Sequence, residues 1–373
     1  MAIQVWDYRG EYEAEREEIL AAVDEVFRSG RLILGERVRT FESELAAYCG
    51  VSHGVGVNSG TDALVLALRA LGVREGDEVI TVSNTAIPTV SAIVTAGGVP
   101  RFVDIDPRSY LMDVAQLESA VTPRTRCILP VHLFGQCVDM TVVNAVASRH
   151  GLRVLEDCAQ STGAKFNGRR AGALADAAAF SFYPTKVLGG YGDGGMVITA
   201  DEKLAAHVRR LRMYGSDGRY YADEHGYNSR LDEVHAAILQ CKLRRLPAYV
   251  ARRRELAQRY DRLLASSGLQ LPVTSPGNYH CYYLYVVRHP LRDRIMQELA
   301  KRDIVVNISY PWPIHTMSAY AHFGYADGSL PETERAAREI FSLPLYPSLT
   351  NAEQDRVCEV LNAIGSMLET ADA

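Results

Sequence analysis

The stretch Ser181-Phe-Tyr-Pro-Thr-Lys186-Val-Leu-Gly-Gly-Tyr-Gly-Asp-Gly-Gly195 joins two short apolar runs, 178–182 and 195–199. Both runs read as strands, so the segment between them is a loop that carries a lone lysine. Lys186 follows an apolar, aromatic strand end and precedes a glycine-rich, nearly uncharged run. A buried ammonium is costly, so a lysine in such a place gives up its proton more easily. A neutral amine can attack an aldehyde and form a Schiff base. The other reading is a surface lysine in a loop, and the rest of the chain has to decide between them.

Upstream of this loop, strand and helix signals alternate. Apolar runs at 54–57, 78–82, 101–105, 126–131 and 152–155 read as buried strands. Helical patterns lie between them at 61–71, 88–96, 113–120 and 139–150. The alternation is the signature of a βαβ sheet with helices on both faces, an α/β fold. Ligands in such sheets sit at the carboxyl ends of the strands. Before the first strand, 11–28 reads as an amphipathic helix with Ile19, Val23 and Val26/Phe27 on one face, stopped by Gly30. Phe41, Leu45 and Tyr48 repeat the pattern up to Gly50.

After the loop, a long helical stretch runs from Leu231 to about Ala265, with Pro247 as a kink or break. Residues 279–289 read as one aromatic, β-branched strand, followed by helix, strand and helix signals. At 373 residues the chain exceeds one usual core. We expect a large domain over 1–247 and a smaller α/β domain over 248–373.

The formal net charge of -5, without a basic block, disfavours nucleic acid as a partner. Cysteines stand at 49, 127, 137, 158, 241, 281 and 358, an odd number with no C-x-x-C pair. That spacing fits reduced thiols better than a disulfide framework or a metal site. The first residues lack the apolar run of a signal peptide, and no segment approaches a membrane span. The expected location is the cytoplasm, with no membrane partner.

Four further segments carry candidate chemistry. Asn58-Ser-Gly-Thr-Asp-Ala-Leu64 lies between a strand and a helix, where free N–H groups and a positive dipole end suit a phosphate. Gly60 would allow close backbone approach and Thr61 would add a hydroxyl; an ordinary N-cap by Ser59 or Thr61 explains the same residues. Neither a Walker loop nor the dinucleotide fingerprint is present. Asp157 stands just beyond a buried strand in Glu156-Asp-Cys-Ala-Gln160. Such a carboxylate can pair with a protonated pyridine nitrogen, and Gln160 can bond the ring hydroxyl; Asp157 as a helix cap with Glu156 in a surface pair is the alternative. Ser181, at its own strand end, could join the phosphate site, and the glycines at 189–195 suggest close backbone approach and unusual dihedrals. Asn228-Ser-Arg-Leu-Asp-Glu233 reads first as a helix cap by Ser229 with Asp232 or Glu233. Tyr310-Pro-Trp-Pro-Ile-His315 is a stiff loop that suits a sugar or nucleotide face, or a packed loop with a satisfied histidine.

Taken in order, these segments resemble the DegT/StrS-type sugar aminotransferases, over nearly the whole chain. Further matching stretches are Gly76-Asp-Glu-Val-Ile80, Phe102-Val-Asp-Ile-Asp106 and Pro130-Val-His-Leu-Phe-Gly135. The resemblance implies a fold type I, aspartate-aminotransferase-like enzyme with a large mixed-sheet domain and pyridoxal phosphate (PLP) as cofactor. It implies that Lys186 holds the cofactor and shuttles the proton, and that Asp157 meets the pyridine nitrogen. Gln160 would lie near the ring oxygen, and Gly60, Thr61 and Ser181 would bind the phosphate. Asn228 would reach the phosphate from a second subunit, making an obligate homodimer. His315 and Tyr183 would lie beside the substrate. The implied substrates are a nucleotide-linked deoxysugar ketone, with C3 of a dTDP-3-keto-6-deoxyhexose as the preferred acceptor and C4 of a 4-keto sugar nucleotide as the alternative, and glutamate or glutamine as amino donor; a non-catalytic regulator on the same fold is the rival reading. Two positions depart from the pattern. Ala86 stands in Thr85-Ala-Ile-Pro-Thr89 where an aromatic residue usually stacks on the ring, and Val187 stands where asparagine is common.

Overall fold

The computed structural model describes residues 2–218 and 220–371. Helices α1 (Tyr8–Ser29) and α2 (Glu36–Cys49) come first. Asp7 caps α1 by accepting from the N–H groups of Arg9 and Gly10, and Gly30 ends it in the left-handed region at φ 66. The helix buries Ile19 and Val26, whereas Phe27 is 62% exposed.

Then strands and helices alternate: β1 (His53–Val57), α3 (Gly60–Ala70), β2 (Glu78–Val82), α4 (Ile87–Thr95), β3 (Val99–Val103), α5 (Leu117–Ala120), β4 (Thr125–Ile128), α6 (Met140–His150) and β5 (Arg153–Asp157). A small hairpin follows, β6 (Lys165–Phe166) and β7 (Arg169–Arg170), then β8 (Ala177–Ser181) and β9 (Gly195–Thr199). Seven strands form one sheet in the order β1-β9-β8-β5-β4-β2-β3. β9 runs antiparallel to both neighbours and the other pairings are parallel, so the sheet is mixed. Side chains alternate between two covered faces. In β8, Ala177 and Ala179 pack on one side with Leu64, Leu66 and Leu68 of α3. Ala178 and Phe180 pack on the other with Phe41 and Leu239. Both faces are dry, which is why these strands read as continuous apolar runs.

Beyond the sheet come α7 (Glu202–Leu211), α8 (Glu233–Leu263), β10 (Asn278–Tyr279), β11 (Tyr285–Arg288), α9 (Arg292–Ala300), α10 (Pro331–Glu339), β12 (Ile340–Leu343) and α11 (Asn351–Ala371). β11 pairs with β12, and β10 adds to the β6–β7 hairpin. A separate core gathers Leu256, Tyr260, Tyr285, Ile295, Phe341 and Leu361, and it also takes in Ile3 from the N-terminal segment.

The structure corrects several expectations. α8 runs through Pro247 as one 31-residue helix. An interior proline costs about 3 kcal/mol or more. Here Leu239, Leu243, Leu246 and Val250 anchor the helix to the sheet core, and Leu256 and Tyr260 anchor it to the C-terminal core. At about 1.5–3 kcal/mol per fully buried large apolar side chain, that anchoring offsets the proline. The single strand expected over 279–289 is two, because Tyr282 turns the chain at φ 50 between β10 and β11. α7 escaped the sequence reading although Asp201 caps it and Leu204, Val208 and Leu211 share its buried face.

Candidate active site

One cavity of about 260 Å³ lies where β1, β2, β5 and β8 end. Its wall contains Gly60, Thr61, Asp157, Gln160, Ser181, Tyr183 and Lys186, residues up to 126 positions apart in the chain.

The helix end comes first. Ser59 caps α3 by accepting from the Asp62 N–H at 3.1 Å. The first-turn N–H groups of any helix lack intrahelical partners, so this end faces the cavity with a positive dipole. The turn lies flat against the end of β8: a Cβ on Gly60 would sit 2.6 Å from the Ser181 Cβ. A Cβ on Gly195 would collide with the Ser59 carbonyl oxygen. Glycine at 60 and 195 is therefore what lets the hairpin end and the helix end pack directly against each other beside Ser181.

Asp157 closes β5. Its Oδ2 accepts from the Thr89 hydroxyl at 2.8 Å and its Oδ1 from the Ala159 N–H at 3.1 Å. Burial pushes its carboxyl above the ordinary range, against those two hydrogen bonds and the charge of Lys186. An acid held this way is ready to meet a cationic partner. Glu156, offered above as a surface pair, is fully buried and turned to the opposite side of the strand. It accepts from His132 Nε2 at 2.9 Å and from the N–H groups of Gly172 and Leu174. The Val138 N–H donates to His132 Nδ1, so the proton of that ring is on Nε2.

Lys186 occupies the turn after β8, where its N–H donates to the Tyr183 carbonyl at 2.9 Å. Its amine lies 4.8 Å from the centre of the Tyr283 ring. The glycine run after it serves close packing. A Cβ on Gly192 would meet His235 at 2.5 Å, and Gly189 folds back on the Pro184 carbonyl. The unusual dihedrals expected of Gly189, Gly190, Gly192, Gly194 and Gly195 do not occur; none has a positive φ.

Gln160 is aimed by two partners. Its Oε1 accepts from the Phe134 N–H at 2.8 Å, and its Nε2 donates to the Tyr310 hydroxyl. Tyr310 in turn stacks on Phe134 with ring centres 6.1 Å apart. Tyr183 is 50% exposed on the cavity wall. Ala86 sits on the same wall at the start of α4 and presents only a methyl group.

Two expected residues are not brought into this cavity by their own chain. His315 is buried, with Nδ1 on the Ser83 hydroxyl at 2.8 Å and Nε2 on Glu334 at 3.2 Å. Asn228 is exposed, in a bridge with Met213. The cap proposed for Ser229 is also absent. Ser229 donates to Asp62 and accepts from the Asn58 N–H, tying α3 to the segment before α8. Glu233 caps the start of α2 instead, accepting from the Arg37 and Val38 N–H groups at 2.9 Å each.

Sequence reasoning passed over Thr89, Asp193, Tyr283 and Tyr310 as site residues. Thr89 and Asp193 lie within stretches already singled out, and Tyr310 opens the stiff loop. No local pattern marked Tyr283.

A lysine amine, a buried acid and a helix N-terminus around one cavity suit an enzyme that works through a phosphorylated aromatic aldehyde. The chain belongs to the DegT/DnrJ/EryC1/StrS aminotransferase family, whose model matches residues 13–362. It is 58% identical over 370 residues to a dTDP-3-amino-3,4,6-trideoxy-alpha-D-glucose transaminase of Micromonospora megalomicea subsp. nigra, covering 98% of this chain and 99% of the relative. It is 46% identical to a "pleiotropic regulatory protein" of Geobacillus stearothermophilus, covering 96% and 97%. Among solved structures, Streptomyces venezuelae DesV in complex with a ketimine intermediate superposes with a TM-score of 0.96, at 44% identity and 98% coverage of both chains.

Proposed function

We propose that this protein is a PLP-dependent aminotransferase that moves an amino group from glutamate or glutamine to C3 of a dTDP-linked 3-keto-6-deoxyhexose. The observation that carries the reading is the convergence of Lys186, Asp157 and the Gly60–Ser181 cradle on one cavity. The residues fit the cofactor: a backbone approach that only glycine permits suits its phosphate, and a buried acid suits its ring nitrogen. The transaminase and DesV relatives support the sugar and the attacked carbon.

When bound, PLP supplies an aldehyde carbon that exchanges the amino group and a ring that takes up electrons. The chain's own residues do the rest. Lys186 would hold the cofactor through its amine and, once free, would carry the proton between the substrate carbon and C4′. Asp157, oriented by Thr89 and Ala159, keeps the ring nitrogen protonated. Gly60, Thr61 and Ser181 hold the phosphate, and Gln160 braces the ring oxygen. Tyr183 borders the sugar. His315 supports the loop 310–315 from behind in this arrangement.

We read the working unit as a cytoplasmic homodimer with shared sites, to which Asn228 contributes from the partner. Asn228 is exposed in its own chain. Phe27, Leu32 and Ile33 leave apolar surface uncovered at 62%, 51% and 47% exposure. No helix among the described residues is long and apolar enough to cross a membrane. For 1–247 and 248–373 as domains, the separate core around Tyr260 and Phe341 is the support, with α8 as the shared element.

The relative described as a regulatory protein keeps a second reading in view, in which the fold binds a sugar nucleotide without turnover. One experiment separates the readings. The purified protein is incubated with glutamate and a panel of 3-keto and 4-keto sugar nucleotides, and products are assigned by NMR. Amination at C3 supports the proposal. Amination at C4 moves the site of attack, and no amination with no visible cofactor band favours the binding protein.

A further inference from the structure

The lysine turn is held from outside the sheet. Thr185 Oγ1 and the Tyr283 hydroxyl are 3.0 Å apart, and the next residue's amine, that of Lys186, lies over the face of the same ring at 4.8 Å. Tyr283 comes from the segment between β10 and β11, nearly a hundred positions further on.

That segment is a rigid mount. The Cys281 N–H donates to the Gly135 carbonyl at 2.8 Å, and the Leu284 N–H donates to that of Phe134. A Cβ on Gly135 would lie 2.7 Å from the Tyr283 backbone nitrogen. Buried Arg253 donates to the carbonyls of Tyr282, Tyr283 and Leu345. The Tyr282 ring stacks on His280 at 3.8 Å, fixing the residue before Tyr283. With its backbone clamped on several sides, Tyr283 presents one ring position to the lysine turn.

We propose that Tyr283 is a positioning residue for Lys186: its hydroxyl pins the turn through Thr185, and its ring face receives the lysine as the free ammonium. The inference rests on the reading of Lys186 as the cofactor lysine. An ammonium is drawn to the negative face of an aromatic ring. The ring therefore gives the released amine a defined place at the cavity, from which it returns. Other titratable groups around the turn are Asp157 from β5, Asp193 from the glycine run, Tyr183 from the turn, Tyr8 from α1, and Tyr310.

The test is the pH profile of cofactor capture. Cofactor-free wild type, Tyr283→Phe and Tyr283→Leu are mixed with PLP, and growth of the visible band is followed across pH. A ring face favours the charged amine, so losing it moves the profile of Tyr283→Leu to lower pH, by about half a unit. Tyr283→Phe keeps the ring, so its pH profile stays with wild type, while its band grows more slowly because the hydroxyl no longer holds Thr185. Should Tyr283→Leu not fold, phenylalanines of increasing fluorination placed at position 283 weaken the ring face stepwise, and the profile moves with fluorine number. Coincident profiles for Tyr283→Leu and wild type, or no trend with fluorination, overturn the inference. Lys186→Ala run in parallel separates the two levels: if it still develops the band, the lysine reading itself has failed.

Discussion

The Thr89 hydroxyl donates to Oδ2 of Asp157 across 2.8 Å, and the Thr85 hydroxyl stands 2.9 Å behind it. Thr89 in the first turn of α4, backed by Thr85 from the loop before the helix, thus aims the acid that closes β5. With the Ala159 N–H on the other oxygen, both Asp157 oxygens are held. The carboxylate cannot swing, and its plane is set before any ligand arrives.

Replacing Thr89 by valine keeps the shape and removes the donor. An unsatisfied buried acceptor costs about 1–3 kcal/mol, so kcat should fall by about tenfold or more. KM for the amino donor should change little, because Thr89 touches Asp157 and not the donor. Steady-state kinetics decide this; an unchanged kcat removes Thr89 from the machinery.

Lys186→Ala removes the amine that holds the cofactor and carries the proton. Turnover should drop by about 10³-fold. The visible band of the holoenzyme should be lost with it. A variant with full turnover and an intact band would sink the assignment.

Asp157 makes a prediction about pH and stability in the cofactor-free protein. Burial raises its folded pKa above the unfolded value, so the folded state binds this proton more tightly. The group therefore contributes stability below the unfolded carboxyl range, and that contribution is lost as pH rises through the folded value. Cofactor-free Asp157→Asn should melt above wild type at neutral pH, and the difference should vanish in acid. Melting curves across pH check the sign; a variant that melts lower at neutral pH contradicts it.

Gly60→Ala tests the anion cradle. The added Cβ meets the Ser181 Cβ at 2.6 Å, so one of the two walls must move. Overpacking of this kind costs about 1–3 kcal/mol. The cofactor dissociation constant should rise, read by absorbance titration, together with a lower melting temperature. If both stay at wild-type values, the close approach is not what shapes the cradle.

Glu233→Gln probes the link between α8 and α2. The amide keeps one acceptor for the two N–H groups of Arg37 and Val38, leaving one of them unpaired. The loss should be about 1–2 kcal/mol, seen as a lower urea midpoint. An unmoved midpoint would mean that water replaces the carboxylate there.

Much of this site was legible in the chain because its parts are local. A strand end, a glycine and a helix start announce Gly60; a buried run ending in an acid announces Asp157. The seven sheet strands were each anticipated, to within a few residues, because two covered faces demand continuous apolar runs. What stayed hidden is set by partners distant in sequence. His315 is turned inward by Ser83, 232 positions away, and Glu233 by the start of α2, nearly two hundred away. The proline in α8 read as a break because a helix in isolation would break there; packing at both ends holds it together.

By itself, then, the sequence determined the alternating α/β plan, the lysine loop and the residues that stand at the strand ends, since periodicity and turn chemistry act over a few residues. Only the tertiary structure decided which groups aim them: Thr89 on Asp157, Tyr310 on Gln160, Tyr283 on the turn of Lys186. Those pairings depend on how whole elements pack, and a hydrogen bond between positions that far apart exists only once the sheet and the C-terminal core have fixed the distance between them.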